Sequence, residues 1–177
     1  MAFNGITLVT GAAGFMGSHL VEHLVERGAC VRATARPRKD TSFFDKLGVQ
    51  FMPADLTKPE GLPAMFEGGV DRVFHLGAVC NFSTPYDRLH PTNVYGVARI
   101  TRLALDAGIK RFIHASSTSV YGPYRGRPFK EDDPREPCDD YVVDNTKLKE
   151  TGFVCKYPDF EASIKQLGEA YVCATNL

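Results

Sequence analysis

No charge of either sign predominates in this chain: 21 Lys and Arg stand against 21 Asp and Glu, for a formal net charge of zero. A nucleic-acid partner or an acidic membrane surface therefore has no global electrostatic support. Ordered cysteine patterns are equally scarce. The five cysteines, at positions 30, 80, 138, 155 and 173, are odd in number and widely scattered. No Cys-x-x-Cys occurs and no Cys/His cluster has zinc spacing, so neither a disulfide framework nor a structural metal is expected. Long apolar runs are missing too, and the first residues lack a charged region followed by a hydrophobic one. A membrane span is not expected, and the chain reads as soluble and cytoplasmic with reduced thiols. What is present in quantity is apolar residue content, at 44% of 177 residues. That excludes a disordered chain and suffices for one domain with a real core.

The most informative stretch is Ile6-Thr-Leu-Val-Thr-Gly-Ala-Ala-Gly-Phe-Met-Gly-Ser-His-Leu20. An apolar run reads as a buried strand, breaks at Gly11, and gives way to a helical pattern after Gly14 and Gly17. A strand feeding a glycine turn and a helix N-terminus forms a pyrophosphate cradle. The glycines let backbone approach phosphate closely, and the free helix N–H groups favour negative charge. The spacing is Gly-x-x-Gly-x-x-Gly, unlike the Gly-x-Gly-x-x-Gly of the commonest dinucleotide fingerprint.

Strands and helices then alternate. Helical spacing at Met16, Leu20, Leu24 and Val25 stops at Gly28. Residues 29–35 read as an alternating strand, followed by the basic residues Arg36, Arg38 and Lys39. A short helix over residues 42–47, a strand at 49–52, a helix over 58–66 and a strand at 71–76 come next. A longer helix is predicted over 91–107 and a fifth strand over 111–115. This alternation implies right-handed crossovers and a parallel, doubly wound sheet, an α/β fold of Rossmann type. Residues 122–140 read as a long surface loop, with helical stretches near 141–152 and 161–174.

Five motifs occur in order: Thr10-Gly-Ala-Ala-Gly-Phe-Met-Gly17, Asp55-Leu56, His75-Leu-Gly-Ala78, Asn93-Val-Tyr-Gly96 and Ser116-Ser-Thr-Ser-Val-Tyr-Gly122. Together they resemble the extended branch of the short-chain dehydrogenase/reductase family, the NAD(P)-dependent epimerase/dehydratase group, over roughly the first 150 residues. The resemblance implies a cofactor site built from Gly11, Gly14, Phe15, Met16 and Gly17, with Leu76, Gly77 and Ala78 closing the cofactor's path. It implies that the Asp55 carboxylate takes the adenine amine and that Leu56 lies against the ring; capping of the following turn is the other reading of Asp55. Asn93 is implied to help hold an active-site lysine through water, or else to cap its helix. His75 reads as a packed strand residue.

Ala35 stands where NAD-type relatives carry Asp, and Arg36 follows directly. An arginine there can neutralise the 2′-phosphate of NADP, so NADP is the expected cofactor, with NAD as the alternative. The pattern resembles the NADP-using reductases of this branch, such as the dihydroflavonol reductase group. A small-molecule substrate is implied, either a carbonyl/alcohol compound or a nucleotide sugar, and a homodimer is conceivable because several relatives dimerise.

One expected element is lacking. The family's chemistry rests on Tyr-x-x-x-Lys, in which a lysine one helical turn away depresses the tyrosine pKa from its ordinary value near 10. Four residues after the seven tyrosines stand His90, Arg99, Arg125, Pro128, Asn145, Glu161 and Thr175, never lysine. The nearest substitute is Tyr141 with Lys147, beside Ser117 as the hydroxyl that polarises a substrate oxygen. Six positions rotate two helical residues about 240° apart, so this pair needs Tyr141 in a loop or a local bulge. The family's later strands and its small substrate domain are not found before Leu177, so residues 1–177 are expected to form a single NAD(P)-binding domain. Three functions follow: an NAD(P)-dependent oxidoreductase or epimerase/dehydratase, a non-catalytic NAD(P)-binding module, or a truncated family fragment.

Overall fold

A computed structural model describes residues 4–37, 40–80, 84–117, 120–121, 126–128, 130 and 132–134. The chain divides into two compact units, Met1–Ser116 and Ser117–Leu177. The first holds five strands: β1 (Ile6–Thr10), β2 (Cys30–Ala35), β3 (Gln50–Pro53), β4 (Val70–His75) and β5 (Arg111–His114). They form one sheet in the order β3-β2-β1-β4-β5, and every pairing is parallel. The expected doubly wound sheet is thus present.

Its two faces are covered separately. On one, α1 (Phe15–Glu26) and α2 (Ser42–Lys46) pack Val21, Leu24 and Phe44 against Val9, Val31 and Ala33. On the other, Leu62, Met65, Ile100 and Ala104 pack against Leu8 and Val73. The period-2 alternation of β1 therefore sends Leu8 and Val9 to opposite layers, and both are fully buried. Chain reversals fall on glycine: Gly28, Gly48 and Gly108 end α1, α2 and the helix before β5 with positive φ.

Three expectations change. The alternation expected of residues 29–35 does not produce an exposed face, because Val31, Arg32, Ala33 and Thr34 are all buried. A strand inside a parallel sheet is covered on both sides. Residues 58–66 are not an α-helix but two 3₁₀ turns, Pro59–Gly61 and Pro63–Phe66. Pro63 lacks an N–H to donate and Gly61 favours disorder over helix, which leaves only short turns. The helix expected from residue 91 begins earlier, as α3 (Tyr86–His90), passes through a wide π-helical stretch, Pro91–Gly96, and continues as α4 (Val97–Asp106). A proline inside a helix cannot supply its N–H, and the change of winding starts at Pro91. Among the described residues no helix is long and apolar enough to cross a membrane.

In the second unit, Arg127 pairs with Asp133 through Nη1 at 2.8 Å, and the Val120 N–H donates to the Ser117 carbonyl at 3.3 Å. The helices expected near 141–152 and 161–174 lie outside the described residues.

Candidate cofactor site

The strand order reverses beside β1, whose crossover partners β2 and β4 lie to either side, and the loops after β1 and β4 leave the sheet in opposite directions of winding there. Such a switch point leaves a crevice above an α/β sheet. Here the crevice is a groove of about 550 Å³. Thr10, Gly11, Ala13 and Gly14 form its floor. Its walls come from residues 34–37 at the end of β2 and just beyond, 54–56 after β3, 76–78 after β4, and Thr92 in the π-helical stretch.

Glycine is required at the floor for measurable reasons. Gly11 has φ +69°, and a Cβ there would lie 2.7 Å from the Gly77 nitrogen. Gly17 is buried under the turn, where a Cβ would collide with the Gly11 carbonyl and lie 2.8 Å from Ala12 Cα. The turn closes through Gly14 N–H to the Gly11 carbonyl at 2.9 Å and is tied to β2 by Ala12 N–H to the Thr34 carbonyl at 3.1 Å. At the start of α1, Gly14 supplies no side-chain cap and the first turn carries no acidic residue. A helix end without a capping carboxylate presents N–H groups and a positive dipole to the groove, which suits a phosphate anion.

Behind the floor, the Thr10 hydroxyl joins β1 to β4. It accepts from the Gly77 N–H at 3.2 Å and lies 2.7 Å from His75 Nδ1. A hydroxyl can accept from Gly77 and either donate to or accept from Nδ1, while His75 Nε2 is buried with no hydrogen-bond partner among the described residues. His75 is fully buried, as a packed strand residue should be, and burial followed by the nearby His114 pushes its pKa down to about 4. The ordinary value is 6.5. The unfolded chain thus binds the proton first as pH falls, so His75 withdraws stability between about pH 6.5 and 4 and contributes no penalty above that window. The expected loss is about 3 kcal/mol. Urea denaturation of wild type and His75→Asn across this range checks it: the wild-type slope should exceed that of the variant.

At the other end, Asp55 Oδ1 accepts from the Thr57 N–H at 2.9 Å and from its hydroxyl at 2.7 Å. The Thr57 N–H is the largest cause holding this carboxyl below its usual range, followed by the Thr57 hydroxyl, with Lys58 and Arg36 adding smaller attractions. Asp55 therefore does serve its local turn while its residue also lines the groove. Arg36 is exposed on the same rim.

Of the residues expected at the cofactor, Gly11, Gly14, Arg36, Asp55, Leu56, Leu76, Gly77 and Ala78 meet along this one groove. Phe15 and Met16 are exposed on the first turn of α1, and Gly17 lies beneath the floor. Asn93 neither caps its helix nor lines the groove. Its side chain pairs with the Val79 backbone like a strand, accepting from N–H at 2.8 Å and donating to C=O at 3.0 Å. Ser117 is exposed and begins the second unit. Tyr141 and Lys147 lie outside the described residues. Thr10, Thr34, Pro37, Ala54 and Thr92 also line the groove but were not expected as site residues. Position at a strand's C-terminal end could have signalled Thr10 and Thr34; Thr92 lies in the π-helical stretch, which no sequence signal marked.

Residues 7–146 match the sequence profile of the NAD dependent epimerase/dehydratase family. The chain belongs to that family. It is similar to the UDP-glucose 4-epimerase of Mycolicibacterium smegmatis, at 36% identity, over 77% of this chain and 47% of the relative. A short-chain dehydrogenase/reductase superfamily protein from Agrobacterium tumefaciens, solved with bound NAD, superposes with TM-score 0.65 at 33% identity, covering 75% of this chain and 39% of that one. MoeE5, solved with UDP-glucuronic acid and NAD, gives TM-score 0.65 at 35% identity, covering 75% of this chain and 43% of that one. The chain thus spans less than half the length of these family members. Members of this epimerase/dehydratase family carry out chemistry of the hydride-transfer, oxidoreductase type.

Proposed function

We propose that this member of the epimerase/dehydratase family binds NADP in the groove above β1 and β4, with the pyrophosphate on the Gly11–Gly17 turn and the adenosine between Arg36 and Leu56. The observation that carries the reading is the coincidence of an uncapped helix start, a turn in which a Cβ on Gly11 or Gly17 would collide with backbone, and an arginine on the rim beside Asp55. NADP, when bound, supplies the hydride donor or acceptor. The chain's residues do the rest. Arg36 meets the 2′-phosphate, Leu56 covers the adenine, and residues 76–78 limit the cofactor's path. Ser117 would hydrogen-bond the substrate oxygen, Tyr141 would transfer the proton, and Lys147 would depress the tyrosine pKa. The substrate is a carbonyl/alcohol compound or a nucleotide sugar, met in the cytoplasm. A homodimer belongs to this reading, with exposed Tyr86, Val94 and Tyr95 as apolar surface available to it.

Calorimetric titration with NADPH and NADH tests the cofactor. NADPH is expected to bind more tightly, and Arg36→Glu to weaken NADPH by roughly tenfold to a hundredfold with little change for NADH, as loss of a charged hydrogen bond implies. Equal binding of both cofactors by wild type would exclude the arginine's role. A second reading, a non-catalytic NAD(P)-binding module, is favoured by the absence of Tyr-x-x-x-Lys from the sequence. Tight NADPH binding without turnover of aldehydes, ketones or UDP-sugars is the result it requires.

A further inference from the structure

The adenine end of the groove is held from behind by α4. The Leu56 carbonyl accepts a hydrogen bond from Arg99 Nη1 at 3.1 Å. The same leucine is wedged between two glycines: a Cβ on Gly96 would lie 3.0 Å from Leu56 Cβ, and one on Gly77 would lie 2.9 Å from its Cδ1. Gly96 closes the π-helical stretch and Gly77 follows β4, so the close approach is built into both elements. On its other side the segment is anchored by Ala54 N–H to the Ala35 carbonyl at 2.8 Å and by the Asp55–Thr57 turn. The half-buried Arg99 therefore ties the Leu56 peptide directly to α4. The guanidinium is itself steadied against the Tyr95 ring, 5.9 Å from its centroid, in the range of a cation–π contact.

We infer that Arg99 is a positioning residue for the adenine wall: it fixes the Asp55–Leu56 turn from outside the groove and thereby sets affinity for the adenosine half of the cofactor. This rests on the reading that the groove takes NAD(P), and it assigns a role to a residue that does not line the groove. A guanidinium donating to a carbonyl is a charge-assisted bond, so its loss should be felt by ligands that press on Leu56 and not by those that stop at the phosphates.

The test uses the 177-residue chain, Arg99→Met and Arg99→Lys, with three probes: NADPH, 2′,5′-ADP and reduced nicotinamide mononucleotide. Arg99→Met should weaken NADPH and 2′,5′-ADP by roughly fivefold to thirtyfold and leave the mononucleotide unchanged, with Arg99→Lys recovering part of the loss. In ligand-free protein, amide exchange at Thr57 and Lys58, whose N–H groups bond to Asp55, should quicken in Arg99→Met. Equal weakening of all three probes, or unchanged exchange at both amides, would overturn the inference. Wild-type protein that binds none of the probes would sink the cofactor reading instead, while the exchange rates would still decide whether Arg99 holds the turn.

Discussion

Gly17→Ala is expected to abolish measurable NADPH binding and to lower stability by several kcal/mol. A methyl group there would run into the Gly11 carbonyl and approach Ala12 Cα to 2.8 Å. The obstructing atoms are backbone, so no side-chain rotation relieves the clash. Either α1 lifts away from β1 or the Gly11–Gly14 turn opens, and both destroy the floor on which a phosphate would rest. Overpacking of this kind costs about 1–3 kcal/mol where side chains can give, and more where they cannot. Gly28 is the control: unlike Gly17 it has a positive φ, and nothing lies within 4 Å of its added Cβ. Gly28→Ala should reduce stability through backbone strain alone and leave NADPH affinity within about twofold of wild type. Calorimetry and urea denaturation of both variants separate the two effects. If Gly17→Ala binds NADPH normally, the groove is not the cofactor site.

Arg32→Met is expected to lower stability by about 3 kcal/mol, read as a fall in the urea midpoint, without touching the groove. Arg32 is a 6%-exposed residue in the middle of β2, and among the described residues no carboxylate hydrogen-bonds to it. Nε donates to Gln50 Oε1 at 2.8 Å, and Nη1 donates to the carbonyls of Met65 at 2.9 Å and Glu67 at 2.6 Å. Replacing both members of a buried pair by apolar groups can be neutral. Backbone carbonyls cannot be replaced, so methionine would leave two acceptors stranded under the sheet. The Pro63–Phe66 turn, which carries Met65 into the core beside Leu8 and Val73, would lose its tie to β2. An unchanged midpoint would mean that water takes over both carbonyls.

Sequence logic failed at Arg32 and succeeded at Gly11 for the same reason. A glycine pattern before a helix is a local statement about backbone, and local statements survive folding. Strand existence and the parallel sheet followed from such patterns; residues 36, 55–56 and 76–78 were marked by the family resemblance, and they line one groove because each lies at or just after a strand's C-terminal end. Burial on both faces of β2 depends on what arrives from residues 62–67, some thirty positions later, and no local alternation reports it. Asn93 shows a third situation. Its position in the helix was legible, but the partner, the Val79 peptide, depends on the π-helical winding that Pro91 introduces.

The strand order carries a consequence for how the chain comes into being. β1 is made first, pairs with β2 across Ile6↔Cys30, and receives its second neighbour only when Val70–His75 exists. Until then its far edge offers a row of unsatisfied amides flanked by Leu8 and Val9, the kind of template to which another chain adds itself. The middle of the finished sheet is therefore the most vulnerable place on the nascent one, and the interval between Thr10 and Val70 is a span of synthesis during which this protein depends on staying apart from its own copies.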